Sequence, residues 1–176
     1  FVNDHNYKLA DHPGQWREGI VLRNLYIHDS PGSGIYFGPN QNDEGAGDLQ
    51  LRNNEIAYNY VDRSGCDGMK YKSVIAGASS IHHNYVTNTG LIDHGNDTGC
   101  TSNGIILFEA GYTDVYNNYV ESPSPVSTGT GACITQVVSN LPASKVAAVP
   151  TRFFNNVVTN CKGNGIASTR SSSTLA

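Results

Sequence analysis

The segment Asp67-Gly68-Met69-Lys70-Tyr71-Lys72-Ser73 places two lysines two positions apart. Alternation along a strand turns Met69 and Tyr71 inward and Lys70 and Lys72 outward. Aromatic and basic residues recur at other outward positions, among them Tyr36, Arg52, His82, Tyr116 and Phe108. Sugar rings suit such a mixture, because they offer apolar faces and hydroxyl edges. A lateral face carrying Tyr36, Lys70, Lys72, Arg52 and His82 would form a groove for an acidic polysaccharide. Aromatic rows also favour plain cross-strand packing, and the row from Tyr26 to Tyr119 reads that way first.

Acidic residues gather at Asp43-Glu44 with Asp48 and at Asp93 through Asp97. Calcium takes about six to eight oxygen ligands, so a site must pool carboxylates across segments. Asp62, Asp67 and Asp97 would pool if their loops emerge on one side. No pair of carboxylates stands out as the two that a glycoside hydrolase needs. The histidines lack metal-ligand spacing, and adjacent His82 and His83 would face opposite sides of a strand. Cys66, Cys100, Cys133 and Cys161 contain no Cys-x-x-Cys, which excludes zinc-ribbon and thioredoxin chemistry. Four cysteines allow three pairings. The reading favoured here is Cys66–Cys100 with Cys133–Cys161, although Cys133 also suits a buried thiol. Asn96-Asp97-Thr98 is an acceptor sequon for glycosylation.

The elements that must position these residues come from a repeat. Leu22-Arg23-Asn24-Leu25-Tyr26-Ile27, Leu51-Arg52-Asn53-Asn54-Glu55-Ile56 and Ile81-His82-His83-Asn84-Tyr85-Val86 share one shape. Val115-Tyr116-Asn117-Asn118-Tyr119-Val120 and Phe153-Phe154-Asn155-Asn156-Val157-Val158 share it too. The steps between Ile27, Ile56, Val86, Val120 and Val158 are 29, 30, 34 and 38 residues. A second strand follows each unit, as in Gly34-Ile35-Tyr36-Phe37 and Gly104-Ile105-Ile106-Leu107, with period-two alternation. Short strands at a loose period near thirty predict an all-β, right-handed parallel β-helix of about five coils. Leu22, Leu51, Ile81, Val115 and Phe153 are expected in one inward row. Ile27, Ile56, Val86, Val120 and Val158 form a second, and Ile35, Met69, Ile105, Cys133 and Ile166 a third. Asn24, Asn53, His83, Asn117 and Asn155 would stack where the chain bends, their amides bonding one another.

The Asn-Asn-x-φ elements and Gly-φ-x-φ strands resemble those of the pectate-lyase-like right-handed β-helix proteins, over roughly residues 20 to 168. The strand ending Lys72-Ser73 looks like the one that carries the base lysine in alginate-lyase and chondroitinase-like members. That resemblance implies a β-elimination in which Lys72, or Lys70, removes the proton at C5 of a uronate, often with calcium. A base lysine must be neutral to act. The family's next coil carries an arginine, where this chain reads Ile105-Ile106-Leu107-Phe108-Glu109.

The chain's 176 residues are enough for one domain, taken as a β-helix over 1–168 and a Ser-rich tail or linker over 169–176. A net charge of -4 argues against nucleic acid as a partner. Charged residues are 15% of the chain, below the roughly 25% usual for soluble domains, which argues against helical bundles. Asn and Gly, 19 of each, take their place. No run approaches the roughly 18 apolar residues of a membrane span. The even cysteine count and the sequon suggest an extracellular or cell-surface location. Open sheet ends would invite further β-helix coils or end-to-end self-association. The alternative to a glycan-binding or glycan-cleaving role is a structural or adhesive surface protein, filament-forming and glycosylated.

Overall fold

The computed structural model describes residues 17–38, 51–72, 77–93, 100–108, 110–123, 131–138 and 151–170. All regular structure among them is β. The strands in chain order are β1 (Arg17–Glu18), β2 (Val21–Arg23), β3 (Tyr26–Ser30), β4 (Ile35–Phe37), β5 (Leu51–Arg52), β6 (Glu55–Ala57), β7 (Tyr60–Ser64) and β8 (Met69–Lys72). They continue as β9 (Ser79–His82), β10 (Tyr85–Thr89), β11 (Ile105–Phe108), β12 (Thr113–Tyr116), β13 (Tyr119–Pro123) and β14 (Ile134–Val138). The last three are β15 (Thr151–Phe154), β16 (Val157–Thr159) and β17 (Ile166–Arg170).

From β6 onward every third strand stacks on its equivalent, and β2, β3 and β4 stack on β6, β7 and β8. Three five-stranded parallel sheets result, β2-β6-β9-β12-β15, β3-β7-β10-β13-β16 and β4-β8-β11-β14-β17, with β1 and β5 forming a small fourth. This is a parallel β-solenoid. Its interior is lined by three in-register columns: Leu22, Ile56, Ile81, Val115, Phe153; Ile27, Val61, Val86, Val120, Val158; and Ile35, Met69, Ile105, Ile134, Ile166. The central members are fully buried; of those on the outermost strands, Leu22, Ile27, Phe153 and Val158 are partly covered, Ile35 is buried and Ile166 is exposed.

The register corrects the expected rows. Ile56 belongs to the first column, where Leu51 was expected, and Val61 takes the place expected for Ile56 in the second. The true steps between Ile27, Val61, Val86, Val120 and Val158 are therefore 34, 25, 34 and 38 residues. Leu51 is buried but pairs with Arg17. In the third column Ile134 replaces the expected Cys133.

The cause lies in the bends. Asn24, Tyr58, His83, Asn117 and Asn155 all have φ between 52° and 55°, the left-handed conformation that turns the chain between the first two sheets. The next residue in four of these units is an asparagine whose side chain enters the solenoid. Asn59, Asn84 and Asn118 each donate from Nδ2 to the Oδ1 of the following asparagine at 3.0 Å, ending on Asn156. Each Oδ1 also accepts a backbone N–H from the preceding unit, beginning with Leu25. The hydrogen-bonded ladder is thus the second residue of each pair, not the first as expected. Asn53-Asn54 repeats the same device at another corner: Asn53 has φ 55° and buried Asn54 accepts the Ile20 N–H at 3.0 Å. That imitation is what displaces the sequence alignment by five residues.

Both expected bridges are present, Cys66–Cys100 and Cys133–Cys161, with Cα separations of 5.3 and 5.4 Å. Strand β17 runs to Arg170, two residues into the segment expected as a tail. The sequon residue Asn96 lies outside the described residues, as does Asp97.

Candidate functional site

Strand β8 occupies the second position of its sheet, between β4 and β11. Alternation sends Met69 and Tyr71 into the core, so Lys70 and Lys72 lie on the outer face. Both lysines are nonetheless shielded from water, at 4% and 3% exposure. Register places Tyr36 beside Lys70 on one flank, and Ile106 and Phe108 beside Lys70 and Lys72 on the other. The Lys70 ammonium stands 5.9 Å from the Tyr36 ring centroid and 5.5 Å from that of Phe108. The Lys72 ammonium is 5.1 Å from the Phe108 ring. Aromatic faces stabilise cations at such distances.

Asp67, in the turn before β8, is completely buried, with Oδ2 3.9 Å from Lys70 Nζ. Its Oδ1 accepts the Asn103 N–H at 2.8 Å and the Thr101 hydroxyl at 2.9 Å. Burial pushes the Asp67 carboxyl up, against the pull of the Lys70 ammonium and these donors. The Tyr36 phenol is pushed up to about 12, first by burial and then by the Asp67 charge, so it stays a proton donor at neutral pH. Gly38 packs against Lys72: a Cβ there would lie 2.7 Å from Lys72 Cβ, at a φ of 133°. Two ammonium groups with aromatic rings at their sides suit a ligand that carries both carboxylate and ring.

The other residues expected on this face lie elsewhere. Arg52 sits on the small sheet and donates from Nε to Glu18 Oε2 at 2.6 Å. His82 and Tyr116 lie on the outer face of the β2-to-β15 sheet, stacked at 4.7 Å, with Phe154 4.9 Å beyond Tyr116. Their row runs Arg23, Ala57, His82, Tyr116, Phe154, with Ala57 where Arg52 was expected. The groove joining Arg52 and His82 to the lysines is therefore not formed. Tyr26, Tyr60, Tyr85 and Tyr119 are a ladder on the second sheet, with Tyr60 where Glu55 was expected. Two of its three contacts are face-to-face stacks, Tyr26–Tyr60 at 5.0 Å and Tyr85–Tyr119 at 4.8 Å, so ring faces are spent on one another. This is the packing role.

Asp62 lies on β7 and Asp67 in the turn before β8. Asp62 accepts from Asn88 Nδ2 at 2.9 Å and pairs with Arg63, which also grips Asp29. Asp67 is held by Asn103 and Thr101, and Asp97, the third residue of the expected calcium set, lies outside the described residues. Among the described residues no three acidic, histidine or cysteine side chains converge as a metal group.

One feature escaped the sequence reading. The left-handed bend at His83 swings its ring to the same side as His82, not the opposite one, and their Nδ1 atoms are 2.8 Å apart. The available signal was position: His83 stands in a column that holds asparagine at Asn24, Asn117 and Asn155. His82 Nε2 lies 3.0 Å from Glu55 Oε1, and Glu55 is clasped by Arg23 at 2.7 and 2.6 Å. Burial lowers the His82 pKa, opposed by Glu55.

Compared with family models, curated proteins and solved structures, the chain finds no match in any of the three. Two disulfides suit an oxidising compartment. Among the described residues no helix is long and apolar enough to cross a membrane.

Proposed function

We propose that the chain is a secreted, right-handed parallel β-helix of about five coils, akin to the pectate-lyase-like proteins, that binds an acidic polysaccharide. The observation that carries this reading is the outer face of β8, where Lys70 and Lys72 stand between Tyr36 and Phe108. A uronate carboxylate would pair with the ammonium groups while the sugar ring lies against the aromatic side chains. Lys72 is the residue to remove the C5 proton if the bound glycan is cleaved by β-elimination. Phe108 sits where the family's pattern leads one to look for an arginine, so binding is the primary role and cleavage the secondary one.

Calorimetric titration with alginate, pectate and chondroitin tests the proposal. Saturable binding to at least one is expected, weakening as salt rises because the long-range attraction between a polyanion and the lysines is screened. Lys70→Met combined with Lys72→Met keeps the stems' volume and removes both charges. At least a tenfold loss of affinity is the expected result, read at a temperature where the variant is folded, since Lys70→Met also leaves the buried Asp67 carboxyl without its ammonium neighbour. No binding by the wild-type chain, or equal binding by the variant, contradicts it. Growth of the ultraviolet absorbance of an unsaturated uronate, abolished by Lys72→Ala, would establish the cleavage step.

A structural role has its own supporting observation. The β15–β16–β17 end exposes Phe154, Val157 and Ile166, at 40%, 54% and 45%. Further coils or a second copy stacking on that edge would cover them.

A further inference from the structure

The His82–His83 pair belongs to a different sheet from the lysine face and stands apart from the glycan reading. Both imidazoles are held from outside. His82 is stacked on Tyr116 at 4.7 Å, and its Nε2 faces the Glu55 carboxylate. His83 is stacked on Tyr58 at 4.9 Å, and its Nε2 lies 3.3 Å from the Asn117 amide. A carboxylate on the far nitrogen is the partner that metal-bound histidines characteristically have, because it fixes the ring and raises its basicity. With Nε2–H given to Glu55, the lone pair of His82 Nδ1 points toward His83.

We propose that His82 and His83 form a two-histidine site for a divalent ion of the copper class, bound through both Nδ1 atoms. A metal–imidazole bond is about 2.0 Å long. Two such bonds at a right angle hold their nitrogens about 2.8 Å apart, and at the tetrahedral angle about 3.3 Å. The 2.8 Å contact, a hydrogen bond without metal, lies close to both values, and copper(II) is the ion that imidazole ligands hold most tightly among the first-row divalent metals. Without metal, His83 Nδ1–H donates to His82 Nδ1. On binding, His83 carries its proton on Nε2 instead, and the Asn117 amide presents Oδ1 to accept it. No proton is lost overall. His82 is buried and His83 exposed, which leaves the remaining coordination positions of the ion facing solvent.

Titration of the intact chain with a copper(II) salt, followed by electron paramagnetic resonance, tests this. The histidines elsewhere in the chain and the terminal amine also bind copper, so the comparison with His83→Asn decides. Asparagine is the residue that keeps the left-handed bend in this column, at Asn24, Asn117 and Asn155. The wild-type chain should show a tetragonal signal coupled to two imidazole nitrogens. In His83→Asn and in His82→Phe that component should vanish, with one binding equivalent weakened at least tenfold. Equal stoichiometry and coupling in wild type and variants would overturn the site. If the variants fail to fold, nuclear magnetic resonance on the wild type decides. Substoichiometric copper should broaden His82, His83 and Tyr116 first, and broadening confined to the amino terminus or His28 overturns the proposal.

Discussion

Asn84 performs four hydrogen-bonding tasks with one amide. Its Oδ1 accepts the backbone and side-chain N–H groups of Asn59, and its Nδ2 donates to the Ile56 carbonyl and to Asn118 Oδ1. All of these groups are buried, so an alanine would strand several of them away from water. Asn84→Ala should cost on the order of 3 kcal/mol, read as a lower midpoint in denaturant unfolding. A loss within the scatter of surface substitutions would show that water replaces the amide. The asparagine pairs were visible in the sequence, but which member builds the ladder was not. A left-handed bend and a buried amide both favour asparagine, for separate reasons. Lys70 and Lys72 were correctly assigned to the outer face. Their shielding was not legible, because alternation gives direction and says nothing of what lies above a strand.

Strand period and the Gly-φ-x-φ pattern were enough to find the parallel sheets, and the cysteines' places in neighbouring coils favoured the two bridges that form while leaving a buried thiol at Cys133 open. The slip at Leu51 has a physical source: two corners of one circuit use the same asparagine chemistry, and only pairing across strands tells them apart. Arg52 and Glu55 moved with that slip, which dissolved the expected groove. The glycine before four of the five strands of the third sheet, with Cys133 standing before β14, is also an element-level feature. At Gly104 a Cβ would stand 2.2 Å from Val120 Cγ1 and 2.5 Å from the Cys133 carbonyl oxygen, so backbone must move. Gly165, in the equivalent turn at the outermost strand, meets only Val158 Cγ2 at 3.3 Å. Gly104→Ala should therefore destabilise by about 2–3 kcal/mol and Gly165→Ala by less than 1 kcal/mol. Thermal melts of the two variants check the contrast. Equal losses would mean that the stacked turns are not held as closely as their register requires.

At the scale of the whole molecule, stacking converts distance along the chain into neighbourhood. Tyr36, Lys70 and Phe108 come from three separate segments, and only the parallel register of β4, β8 and β11 makes them one surface. The same register separates that surface from the histidine pair, so a glycan and a metal ion would be handled on different sheets. The proposed role rests on the lysine face being where the ligand sits. Amide chemical-shift mapping with a short oligouronate measures this directly. Saturable shifts centred on Tyr36, Lys70, Lys72 and Phe108, with the tyrosine ladder unmoved, are the expected outcome. Shifts centred on any other sheet, or none at ligand excess, would contradict it.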